Sequence, residues 1–194
     1  DIGNEAIAEI LFHKTVELHR PIYNAVKKKK LLNYGVFPEP RKSHTVEFVK
    51  VFPVRNQLPP LYFDSPKSLY PWLQRLMIEH KLDPATFLLD KDRGHYEKNV
   101  KPLQWKPEQQ SVALSDMRKA MLPEEAILVG PGRKGQEKCA IIVEGGRVLG
   151  YTYFYLSTDG LNRAQLKKRM VDLDSDAYTI GVIGHFYRKG YLKR

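Results

Sequence analysis

Apolar residues recur at intervals of three and four near the start of the chain, where Ala6, Ile7, Ile10, Leu11 and Leu18 would share one side of a helix. Asn4 is placed to cap it, Glu5 falls in its first turn and Pro21 excludes the helical conformation at Arg20, so a helix is predicted over residues 4–19. The period then changes to two. Residues 31–37 are largely apolar, and within 44–52 the pairs Val46/Phe48 or Val49/Val51 alternate with polar residues, which predicts an antiparallel hairpin. Residues 56–60 read as a loop. Ser65-Pro66 supplies a cap and a first-turn proline for a helix carrying Leu69, Trp72, Leu73, Leu76 and Met77 and ending near Leu82. Residues 90–106 lack periodicity and read as an extended, charged connection, after which Pro107-Glu108 opens a helix reaching about Met121.

The second half is β-rich at first. Apolar runs at 126–129, 139–143 and 148–155 predict three strands, and Gly145-Gly146 between the last two supplies the positive backbone angles of a two-residue hairpin turn. Thr158 or Asp159 can cap a helix carrying Leu161, Ala164, Leu166, Met170 and Val171. A final helix runs from about Asp176 to a stop at Gly190. The pattern predicts an α+β chain whose antiparallel strands, a hairpin and a three-stranded meander, pack with about five helices.

Composition narrows the class. With 194 residues and 42% hydrophobic content the chain can bury a core, and no run of about 18 apolar residues encodes a membrane span. Neither a basic leader nor an apolar signal segment is visible, and one cysteine, Cys139, makes no internal disulfide; a cytoplasmic location and a buried structural thiol are expected. The first residue is not Met and the chain opens close to a helix, so a piece of a longer protein is expected. The formal charge of +10, from 32 Lys plus Arg against 22 Asp plus Glu, is the footprint of a protein that meets polyanions.

Several motifs read as structural. Residues 130–135 match G-x-G-x-x-G, but a dinucleotide site needs a helix after it, and residues 136–141 read as strand. A tight loop with Arg133 and Lys134 exposed at its tip is the favoured reading. Residues 172–176 start like a calcium loop but have Ala177 at its glycine position and Ile183 at its closing glutamate, so they read as a connector with capping aspartates. The six histidines show no metal-ligand spacing. In the run from Gly181 to Gly184, small residues suit close helix packing.

The helix over 4–19 followed by Pro21-Ile22-Tyr23-Asn24 resembles the last helix and exit of the GIY-YIG endonuclease module of the UvrC excision-repair family. In that family a helix glutamate holds the divalent metal and an asparagine beyond it orients the site. Asn24 matches the asparagine, whereas the metal position falls on Phe12, with Glu9 one helical turn earlier as the substitute candidate. Residues 127–151, with Glu137 to Val143 and Glu144-Gly145-Gly146-Arg147, resemble the C-terminal region of bacterial DNA polymerase III epsilon-like exonucleases fused to such a module. The resemblance implies a remnant of the nuclease module plus a strand pair over 1–60, a helical middle over 61–125 and a meander with two helices over 126–194. It implies Mg or Mn for the parent nuclease and no cofactor in this chain. Cysteines that many relatives carry after the middle helix are missing here.

Basic groups remain the chemistry of the chain. Lys27, Lys28, Lys29 and Lys30 form a run, Arg41 and Lys42 lie at a hairpin tip, and Arg133, Lys134 and Arg147 lie at meander turns. Such side chains contact phosphate without reading sequence, so the expected partner is DNA, bound nonspecifically by an accessory region that is not catalytic alone. Tyr34, Tyr151, Tyr153 and Tyr155 are stacking candidates whose simpler reading is half-buried sheet residues. The alternatives are a module docking onto replication or repair proteins, and a residual metal-dependent endonuclease using Glu9 and Asn24.

Overall fold

The computed structural model describes residues 2–19, 31–32, 34–39, 45–50, 61–65, 67–69, 71, 87–89, 107–158 and 162–194. In chain order the elements are α1 (Glu5–His19), β1 (Tyr34–Glu39), β2 (Thr45–Lys50), β3 (Leu61–Phe63), β4 (Phe87–Leu89) and α2 (Pro107–Ala120). They continue with β5 (Glu125–Pro131), β6 (Glu137–Glu144), β7 (Arg147–Tyr155), α3 (Arg163–Lys168), β8 (Val171–Asp172) and α4 (Ala177–Arg188). The fold is α+β, with the hairpin and the meander both present. It divides into two compact units, Leu32–Arg118 on one hand and Asp1–Leu31 with Lys119–Arg194 on the other. The first helix therefore groups with the C-terminal third rather than with the strand pair that follows it.

In the unit Leu32–Arg118, β1 and β2 pair antiparallel with Val36 opposite Phe48. Two strands absent from the sequence reading extend the hairpin into a sheet of order β3-β1-β2-β4, with β3 antiparallel to β1 and β4 parallel to β2. Leu61, Tyr62 and Phe63 are all buried, so β3 shows no alternation by which three residues could be recognised. Ser65 Oγ accepts the Ser68 backbone N–H at 3.3 Å, as a cap should, and residues 67–69 are helical. The predicted continuation to Leu82, the hairpin tip and the connection over 90–106 lie outside the described residues.

The other unit is built on the sheet β5-β6-β7-β8. Gly145 and Gly146 close the β6–β7 hairpin with φ of 57° and 68°, as the pattern predicts. Ala140, Ile142, Phe154 and the α3 residue Leu166 form a buried cluster on one face of the sheet. By strand alternation Cys139 and Ile141 point to the other face, and both are fully buried. The final helix α4 packs against α1 and β7. Asp176 caps it by accepting the Thr179 N–H at 2.7 Å, and residues 178–186 are all buried. Gly184 permits a close approach there, since a Cβ would lie 3.2 Å from the Met121 carbonyl oxygen.

α1 has the predicted bounds and cap. Asn4 Oδ1 accepts the Ala6 and Ile7 N–H groups at 3.1 and 3.3 Å, and Ile7 and Ile10 are fully buried. The helix expected to run from 158 or 159 through Val171 is shorter at both ends. Asn162 caps it, accepting from Ala164 and Gln165 N–H, it ends at Lys168, and Val171 and Asp172 instead pair with β7. Gly150 makes that pairing possible, because a Cβ there would stand 2.3 Å from the Val171 carbonyl oxygen. Among the described residues no helix is long and apolar enough to cross a membrane.

Candidate nucleic-acid interface

The turn between β5 and β6 is organised around a buried acid. Glu137 is 5% exposed and meets Arg133 through both carboxylate oxygens, Nη2 to Oε1 at 2.6 Å and Nε to Oε2 at 3.0 Å. The Arg133 backbone N–H adds a third bond to Oε2 at 2.8 Å. Hydrogen bonding from Arg133 holds the Glu137 carboxyl below its ordinary value, against the opposing effect of burial, and the arginine's own value is raised in return. The Arg133 guanidinium also lies 4.4 Å over the Tyr153 ring, whose hydroxyl donates to the Ile2 carbonyl. Burial raises that phenol to about 12, so it stays a donor. Arg133 is thus a clasp between the turn and the start of the chain, its charge matched by Glu137. Lys134, exposed at the tip, keeps the position expected of it.

Other cations gather at this end of the sheet. Lys138 pairs with Pro131 across the β5–β6 ladder, and Lys193 bridges Val129 on the outer side of β5, with backbone bonds of 2.7 and 2.9 Å. The Tyr191 carbonyl oxygen would be 3.5 Å from a Cβ placed on Gly130. The segment after α4 is thereby fastened beside the turn, and Lys189 and Lys193 are exposed on it. The predicted final helix ends at Gly190, and neither Lys189 nor Lys193 is among the basic residues the sequence pattern singles out. The signal was present: Arg188 to Arg194 interleaves four cations with one tyrosine.

Arg147 lies at the β6–β7 turn, at the opposite end of β6. Eight residues at about 3.3 Å each separate the two turns by roughly 25 Å, so Arg147 and Lys134 do not meet. Charges at that far end are largely matched. Arg163 reaches Glu125 at 2.6 Å and Glu144 at 2.9 Å, and Lys167 also binds Glu144, whose carboxyl is lowered chiefly by the Lys167 hydrogen bond. Asn24, Lys27, Lys28, Lys29, Lys30, Arg41 and Lys42 lie outside the described residues.

Glu9 sits within the α1–α4 contact. It accepts the Tyr178 hydroxyl at 2.6 Å, while His13 stacks on the Tyr178 ring with centroids 3.6 Å apart. Among the described residues no group of three or more His, Cys, Asp or Glu is arranged to hold a metal ion. Cys139 is buried, which pushes its thiol up to about 12 and leaves almost no thiolate for chemistry. Tyr34, Tyr151 and Tyr153 are half-buried sheet residues, and Tyr155 is 43% exposed at the end of β7. No family model, curated protein or solved structure matches the chain.

Proposed function

We propose that the chain is an accessory, DNA-holding region of an epsilon-like exonuclease fused to a UvrC-type module, acting in the cytoplasm in replication or repair. In this reading it supplies nonspecific phosphate contacts, and Mg or Mn chemistry belongs to the parent nuclease. The supporting observation is the set of cations about the β5–β6 turn in one unit: Lys134 is exposed at its tip, Lys138 pairs with Pro131, Lys193 bridges Val129 and Lys189 lies on the same C-terminal segment, while the carboxylate of the turn, Glu137, is buried against Arg133. Lysines on flexible stems follow the phosphate backbone as point charges and read no bases.

Titration of a fluorescent 20-base-pair duplex tests it. Dissociation constants of roughly 10⁻⁴ to 10⁻⁶ M at physiological salt are expected, weakening steeply as salt rises. The double variant Lys134→Glu/Lys189→Glu should bind more weakly and lose about two of the released counterions from the salt slope. An absence of binding at low salt, or an affinity indifferent to salt, would overturn the reading.

A further inference from the structure

The C-terminal end of α4 presents an aromatic ring with unusual care. Lys189 is its C-cap, and Gly190 follows in the left-handed region with φ of 76°. The Gly190 N–H donates to the Tyr187 carbonyl at 3.0 Å and the Tyr191 N–H to the Phe186 carbonyl at 3.1 Å. These two bonds are the Schellman motif, and its usual apolar contact is made by the Tyr191 and Phe186 rings, edge to face with centroids 5.8 Å apart. The Lys193 bridge to Val129 fixes the chain two residues later. Although its backbone is held at both ends, Tyr191 remains 59% exposed. A ring held in place but left open to water loses little conformational freedom when something lies on it.

Its surroundings indicate what that is. Lys189 and Lys193 flank it in sequence, and Lys134 caps the adjoining turn. Cations that follow a phosphate backbone beside a fixed aromatic face form the arrangement used for single strands, where the exposed base has a free π-face. In a duplex those faces are already stacked on one another.

We infer that Tyr191 is a stacking platform for an unpaired base, and that the surface of Tyr191, Lys134, Lys189 and Lys193 takes single-stranded nucleic acid in preference to duplex. The inference rests on the nucleic-acid reading above and adds the strandedness of the ligand.

Anisotropy titrations with a 20-nucleotide oligo-dT and with the 20-base-pair duplex test it on the full chain. Wild type should bind the single strand more tightly. Tyr191→Ile, which keeps apolar bulk against Phe186 but has no π-face, should weaken single-strand binding roughly fivefold or more. The same variant should leave duplex affinity and the salt slope unchanged, and Tyr191→Phe should bind like wild type. If both probes bind equally, or if Tyr191→Ile changes neither or both alike, the inference fails while the phosphate-binding reading stands. If neither probe binds at 50 mM salt, both fail together.

Discussion

Glu137 carries its charge into the protein because three donors meet it there, all from Arg133. Its carboxyl is held below the ordinary 4.5, so the stability it contributes is complete above that pH and is lost as pH falls through the lower folded value. Glu137→Gln should lower the melting temperature at pH 7 and flatten the acid side of the stability profile. Melting curves between pH 7 and about pH 3 will show this, and parallel wild-type and variant profiles would mean that the pair contributes nothing. A G-x-G-x-x-G loop with basic residues was readable from the sequence. That Arg133, exposed like Lys134, pairs with the buried Glu137 was not, because Glu137 is four residues away across a turn whose shape sets the geometry.

Among the elements, the helix ends show how far local pattern reaches. Asn4, Ser65 and Asp176 each cap where an Asx or Ser was placed before an apolar period, since the interaction spans only two or three residues. Asn162 caps α3 instead of Thr158 or Asp159, and the helix stops at Lys168 because Val171 pairs with Tyr151 on the edge of β7. The caps should differ in weight. Asn4 is buried and also donates from Nδ2 to the Pro131 carbonyl at 3.0 Å, whereas the Asn162 cap bonds are exposed. Urea denaturation should give a loss of about 2 kcal/mol for Asn4→Ala and about 0.5–1 kcal/mol for Asn162→Ala. Equal losses would remove the link between α1 and β5 from the account.

For the molecule as a whole, α1 is the informative case. It lies more than a hundred residues before its partners, yet the Tyr178–Glu9 and Lys14–Asp174 contacts, together with the Tyr153–Ile2 bond, tie it to the C-terminal unit. Ile10→Ala should cost about 2–4 kcal/mol and speed amide exchange in the central strand, at Cys139 to Val143, by the same free energy. Exchange there at the wild-type rate would separate α1 from that sheet. Periods of 3.6 and 2, caps and the Gly-Gly turn are short-range consequences of backbone geometry, so the α+β class, α1, the hairpin, the meander and α4 could be read from residue order. Which helix joins which sheet, the edge strands β3, β4 and β8, and the approach of the Lys189–Lys193 segment to the β5–β6 turn that carries Lys134 depend on contacts between distant segments. Chain order carries no record of those, because they arise only when buried faces find one another.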